Sequence, residues 1–195
     1  NAEYLEKHPL GRAEWIKLTG IIFNKEKEAD SVFSAIVTEY LSTKSLLEHS
    51  QEQASVLSGV MYGDSWYLPG GRNYASTLLS DAGYTFFWEQ DTSSAFLPIS
   101  FETVYNSGFN ADYWIGVASY RSRTELNAGD SRYASFNAFN NAKVYSYNKL
   151  IGEKGGSVFL ELRYLRPDLI LKDLVKIAHP DILPEHELFF HYKLP

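Results

Sequence analysis

The residue types best suited to gripping a ligand gather in three short stretches. The first is Gly63-Asp64-Ser65-Trp66-Tyr67-Leu68-Pro69-Gly70-Gly71-Arg72-Asn73, which reads as a loop leaving a strand and opening a helix. It has neither the Lys-Ser/Thr pair of a P-loop nor GxGxxG spacing, so a nucleotide cradle is rejected. Two aromatic rings beside a flexible Pro-Gly-Gly turn suit an organic ligand, because flat rings give contact area at low entropy cost. The same spacing is also compatible with a Trp66 that simply packs on the domain. The second stretch is Phe159-Leu160-Glu161-Leu162-Arg163-Tyr164-Leu165-Arg166. Here Arg163 and Arg166 offer planar guanidinium forks to carboxylates or other anionic oxygens, although solvated surface arginines are the commoner case. The third is Ala118-Ser119-Tyr120-Arg121-Ser122, directly after a strand and so on the same rim as the first if the sheet is parallel.

Other chemistry has less to stand on. His179, His186 and His191 come late and close together, but prolines and a strand intervene and none shares the i, i+4 spacing of a zinc pair. The carboxylates Glu89, Asp91, Glu102 and Glu125 supply acids, yet no spacing selects two of them as the pair that glycoside hydrolysis needs. No GxSxG or other nucleophile signature occurs. The expectation is a protein without catalysis, without a cofactor and without a metal site of its own.

These stretches must be held by elements, and the hydrophobic periodicity supplies them. Helical spacing covers Leu10 to Phe23, after Pro9, and Glu26 to Ser50, where Phe33, Ile36, Val37, Tyr40, Leu41 and Leu47 make one stripe. Beyond Gln53 short apolar strands alternate with helical stretches, the pattern of βαβ units and a mainly parallel sheet. Strands are expected near 55–62, 84–88, 113–118, 143–147 and 188–192. Asn73 caps a helix to Gly83, and Ser100 and Gly108 bracket a short one. Pro167 opens a helix whose Leu171, Leu174, Val175 and Ala178 fall at i, i+3, i+4 and i+7.

Composition sets limits on the whole. The chain has 195 residues, a formal charge of -6 and a pI near 5.4, which leaves no concentrated positive footprint for nucleic acid. Aromatic residues reach 15%, more than a core of this size requires, as expected where ligands or partners are gripped. There is no cysteine, which removes disulfides, thiolate zinc sites and cysteine nucleophiles. No run approaches the roughly 18 apolar residues of a membrane span. The first residues are neither a signal peptide nor an initiation site, so the chain reads as cut from something longer.

Several strings, in order along nearly the whole chain, carry a resemblance: HPLGRAEWIK at 8–17, WYLPGGRNYASTLLSDAG at 66–83, LPISFETVY at 97–105, NADYWIG at 110–116 and LRPDLILKDLVKIAHPDILPEHELFF at 165–190. Together they resemble the periplasmic substrate-binding proteins of iron-siderophore, haem and cobalamin ABC importers, in the form seen in Bacteroides-type bacteria. The resemblance implies an α/β fold of the helical-backbone metal-receptor type: residues 1–53 as backbone helices and 54–195 as one Rossmann-like C-terminal ligand-binding lobe. It also implies a periplasmic receptor, lipid-anchored at full length, that holds a metal chelate, haem or corrinoid between two lobes and delivers it to an inner-membrane permease. The other lobe, the export signal and the anchoring cysteine would lie outside this sequence, leaving one side of the backbone helices uncovered. The cleft residues it points to are Trp66, Tyr67, Tyr120, Arg121, Arg163 and Tyr164, with Arg72 beside the turn. Relatives often carry a permease-docking acid just after the glycine that closes the first lobe helix. This chain reads Gly83-Tyr84-Thr85 there, and Glu89 and Asp91 are the nearest substitutes. The rivals are a carbohydrate-binding module or glycoside hydrolase domain, also rich in exposed Trp and Tyr, and a scaffold domain whose aromatics are all core.

Overall fold

The computed structural model describes residues 3–48 and 53–195. The chain opens with α1 (Pro9–Glu14), α2 (Ile16–Ile22) and α3 (Glu26–Ser45). The helix expected over 10–23 is thus broken at Trp15, and the tail of the next one, at 49–50, lies outside the described residues. Then come β1 (Ala54–Ser58), β2 (Val60–Tyr62), β3 (Ser65–Pro69), α4 (Tyr74–Asp81), β4 (Tyr84–Phe86) and β5 (Phe96–Ile99). The remainder is α5 (Phe101–Gly108), β6 (Tyr113–Ile115), α6 (Arg123–Gly129), α7 (Asn137–Asn140), β7 (Val144–Ser146), α8 (Val158–Leu162), α9 (Pro167–Ala178) and β8 (Tyr192–Lys193).

The fold is α/β, with a mainly parallel sheet flanked by helices. Five strands lie in the order β4-β1-β6-β7-β8, all pairs parallel except β7 with β8. The connection after β1 runs to β4 on one side, whereas the connection after β6 runs to β7 on the other. Between the carboxyl ends of β1 and β6 the sheet therefore has a topological switch point, where ligands of open α/β sheets sit.

The apolar run 55–62 is not one strand. Gly59, at φ +83°, turns the chain out of the parallel sheet, and a Cβ there would lie 1.9 Å from the carbonyl oxygen of Tyr67. Beyond this corner β2, β3 and β5 form a separate antiparallel sheet, order β2-β3-β5. The stretch expected to be a loop from Gly63 to Asn73 thus has strand β3 at its centre. Its Pro-Gly-Gly turn is clamped, because Gly70 and Arg72 donate N–H groups to the carbonyls of Ala95 and Ser93. A Cβ on Gly71 would lie 2.3 Å from the carbonyl oxygen of Asp91.

The N-terminal helices pack on the rest of the fold through α3. Ile36 and Tyr40 are buried, the Tyr40 hydroxyl donates to Asp81 on α4, and Lys44 pairs with the same carboxylate at 2.6 Å. Lys172 on α9 reaches Glu39 on α3. Leu41, expected on the buried stripe, is exposed, as are Ile21, Ile22 and Phe23 at the end of α2. On α9, Ile170, Asp173 and Ile177 are buried as well as Leu171, Leu174 and Val175, so this helix is covered well beyond one stripe.

Candidate functional site

A cavity of about 580 Å³ opens at the switch point. It is lined by Ser58 at the carboxyl end of β1, the Gly59 corner and Val60 at the start of β2, and by the residues closing and following β6 (Ile115, Gly116, Ala118). The antiparallel sheet contributes Tyr62, Tyr67, Pro69 and Phe96 to the lining, and the segments beyond β7 contribute Tyr147, Phe159, Arg163 and His191. Tyr62 and Tyr67 meet edge to face at 6.3 Å, and Tyr147 and Phe159 stack at 4.5 Å. Burial above all raises the Tyr147 hydroxyl pKa, opposed by Arg163, so this phenol is neutral at ordinary pH. A second cavity, about 390 Å³, shares Ala118 and Tyr147 with the first and is more polar, with Arg121, Asn148 and Ser157 on its wall.

The structure sorts the residues singled out from the sequence. Tyr67 and Arg163 line the larger cavity and Arg121 the smaller. Trp66 does not, which corrects the expectation for that residue. Strand alternation sends it opposite to Tyr67, into a fully buried cluster where it stacks on Trp114 at 5.3 Å with Tyr133, Phe136 and Phe101 around the pair. Both indoles donate at the corner of the sheet: Trp66 Nε1 to the Ser58 carbonyl and Trp114 Nε1 to the Gly59 carbonyl, each 2.9 Å. The chain leaves the parallel ladder at these residues, and the two tryptophans bond the carbonyls there.

Tyr120 is likewise turned away. Its hydroxyl lies against Gly129 on α6, and its carbonyl accepts from the Tyr192 hydroxyl. Tyr164 backs the wall and is absent from its surface: its ring carries the Arg163 guanidinium at 4.4 Å on one contact and that of Arg12 at 4.6 Å on another. Arg163 also donates to the Tyr164 hydroxyl. Arg72 is exposed beyond the Pro-Gly-Gly turn and touches neither cavity. Arg166 is engaged by the buried Asp168 through two bonds of 3.0 and 2.7 Å. Glu89 is exposed, whereas Asp91 accepts from the Ser93 N–H and braces its own loop.

Two wall features were missed from sequence. Tyr62 is the most exposed aromatic of the lining, at 81%. His191 is held by Asp173, a fully buried carboxylate on α9 that gathers five donors. These are the N–H groups of Phe189, Phe190 and His191 at 2.7, 2.7 and 2.9 Å, and the rings of His186 and His191 at 2.7 and 3.0 Å. Burial pushes the Asp173 carboxyl upward, but the bonds from His186, His191 and the Phe189 N–H outweigh it and hold the group well below the usual carboxylate range.

The lining is suited to stacking on a large, mostly apolar body and offering it an arginine at the edge. It presents no carboxylate on either cavity wall among the described residues, so glycoside hydrolysis finds no acid and base here. Nor do the described residues bring together three or more His, Cys, Asp or Glu side chains as a metal site.

Comparison with known proteins agrees with this layout. The family model for periplasmic binding proteins matches residues 3–150. An uncharacterized lipoprotein of Methanocaldococcus jannaschii is 26% identical over 99% of this chain, which covers 45% of that protein. A second uncharacterized protein of the same organism is 25% identical over 92% of the chain, covering 53% of its own length. The chain thus spans about half the length of the curated relatives it matches. Among solved structures, Helicobacter pylori CeuE with Ni(II) bound superposes with a TM-score of 0.69 at 14% identity, covering 93% of this chain and 55% of that one. Staphylococcus aureus IsdE complexed with heme gives 0.63 at 14%, covering 88% and 65%.

Proposed function

Because the chain belongs to the periplasmic binding protein family, a family of substrate-binding proteins, we propose that it forms the backbone helices and C-terminal lobe of an ABC-importer receptor whose cargo is a metal chelate: a ferric siderophore, haem or cobalamin. The observation that carries the reading is the cavity at the switch point, lined by Tyr62, Tyr67, Phe96, Phe159 and Arg163. The cavity is only partly enclosed by these residues, which leaves room for a second wall. The relatives' greater length and the nickel and heme held by CeuE and IsdE support the same reading. In this proposal the aromatic rings stack on the cargo, Arg163 meets an anionic group at its edge, and Arg121 reaches a polar substituent extending into the smaller cavity. The proposed setting is periplasmic, with lipid anchoring in the full-length protein, in keeping with the lipoprotein relative. Exposed Glu89 is the better candidate of the two acids for docking on the permease, since Asp91 is spent on its loop.

The test is titration of the full-length protein with a ferric siderophore, haem and cobalamin, followed by intrinsic fluorescence. At least one should give a saturable change. No response to any of the three overturns the receptor reading.

A further inference from the structure

Taking the chain as a receptor wall, as proposed above, we infer that Arg12 of the N-terminal helix α1 is a positioning residue for the anionic end of the cargo. Through Tyr164 and Tyr74 it fixes Arg163 in the cavity wall without being part of the lining itself. Arg163 directly follows α8 and is half-buried, and its surroundings are unusual for a cation. No ion pair among the described residues includes it, and its Nε is enclosed without a hydrogen-bond partner.

Aromatic groups hold it instead. The guanidinium carbon lies 4.4 Å from the centre of the Tyr164 ring and 5.9 Å from that of Phe159, and Nη2 donates to the Tyr164 hydroxyl. The backbone is tied as well, since the Tyr74 hydroxyl donates to the Arg163 carbonyl at 2.5 Å. Burial above all raises the pKa of that hydroxyl, opposed by Arg12 and Arg163, so it keeps its proton and stays a donor.

Both tyrosines lead back to Arg12. Its guanidinium carbon is 4.8 Å from the Tyr74 ring centre and 4.6 Å from that of Tyr164, and the two rings meet edge to face at 6.0 Å. Arg12 Nε donates to the Glu6 carbonyl at 2.8 Å, which anchors the guanidinium within its own segment. Tyr74 lines the cavity with Arg163, whereas Arg12 and Tyr164 do not. Two consequences follow. Cation–π contact with Arg12 keeps the tyrosines in the arrangement that grips Arg163. The two arginines also place like charges on one ring, and an anion that meets Arg163 relieves their repulsion, so Arg12 raises the preference of the wall for anionic over neutral cargo.

The experiment uses the full-length protein without cargo and reads the modification of each arginine by phenylglyoxal through peptide mass spectrometry, with exposed Arg72 as the internal reference. Arg12→Met keeps a long side chain and loses the charge; it should speed modification of Arg163 about fivefold, whereas Arg12→Lys should stay within about twofold of the natural protein. A residue that only packs α1 on the fold would tolerate Met at least as well as Lys. Titration with haem and with its dimethyl ester, which has no free carboxylate, is the second readout. Arg12→Met should weaken haem about threefold and the ester less than about twofold, and should add nothing in an Arg163→Ala background. Should Arg12→Met fail to fold, Tyr164→Leu removes the shared ring and should speed modification of Arg163 by as much. An unchanged Arg163 rate in Arg12→Met, equal effects of Met and Lys, or equal weakening of haem and ester overturns the inference and leaves the receptor reading standing. Where neither porphyrin binds but a siderophore or cobalamin does, the labelling alone decides; silence from every cargo takes both down.

Discussion

Trp66 and Tyr67 are adjacent in β3 and do opposite work, and the contrast between the two aromatic groups they belong to explains much of this fold. The indole of Trp66 sits with Trp114, Tyr133, Phe136 and Phe101 beneath the Gly59 corner, wholly out of water. The phenol of Tyr67, with Tyr62 and Phe96, lines the cavity at 40% exposure. Alternation along one strand separates them. Rings in the first group bond to backbone: both indoles donate to carbonyls, and the Tyr133 hydroxyl accepts the Met61 N–H at 2.8 Å. Burial, set against that bond, raises the Tyr133 pKa to about 12. Rings in the second group present an aromatic face to the cavity. Aromatic excess in a composition is therefore two populations, one that builds the shelf and one that lies on it.

The largest expected effect tests the first population. Trp66→Ala removes a fully buried ring and leaves the Ser58 carbonyl without its donor, which should cost about 3–5 kcal/mol in urea unfolding. A loss below about 1 kcal/mol would mean that the corner is held by β3 pairing alone, and the contrast would collapse. Next comes Asp173→Asn, expected to cost about 3 kcal/mol at neutral pH because the charge is lost and the NH2 that replaces one oxygen turns a donor toward the N–H groups that oxygen had accepted. The sign of its pH dependence is fixed. The Asp173 pKa is depressed in the folded state, so its contribution is full above the unfolded carboxylate value of about 3.9 and fades as pH falls through the lower folded value. The stability gap between the natural protein and the variant should close on acidification below about pH 4; a constant gap would trace the loss to packing instead.

The exposed rings of the cavity lining are expected to show the reverse pattern. Tyr67→Ala and Tyr62→Ala should each leave stability within about 0.5 kcal/mol, as surface changes do, while weakening the chelate that responds in titration by about five- to tenfold. Loss of stability without loss of affinity would return these rings to the scaffold.

What the sequence made legible follows the same division. The α9 stripe with its Pro167 start and the alternation of short parallel strands with helices rest on local periodicity, which a single chain displays. The corner does not. SVLSGVMY reads as one apolar run, and only an interior glycine hints that it bends. Pro-Gly-Gly looks like a mobile loop because nothing nearby in sequence shows that 89–95 closes over it. With β3 hidden, its period of two is hidden as well, so Trp66 and Tyr67 were assigned together. Ser122 and Glu125 do mark the start of α6, through bonds from the Glu125 and Arg121 N–H groups, a capping signal passed over in favour of Arg121 itself. His191 depends on Asp173 from 18 residues away, a spacing no local pattern records.

The smallest effect is the most discriminating for the edge of the site. Arg72 and Arg121 are both exposed arginines in loops that follow strands, yet Arg121 lines the smaller cavity and Arg72 lies beyond the clamped turn. Arg121→Ala should weaken an anionic or polar-tailed chelate about threefold, as expected of a solvent-screened contact, and the loss should shrink at high salt. Arg72→Ala should change affinity by less than about twofold at any salt. If Arg72 proved the more costly of the two, the cargo would have to extend over the Pro-Gly-Gly turn, and the binding face would be centred on the antiparallel sheet, away from the switch point between β1 and β6.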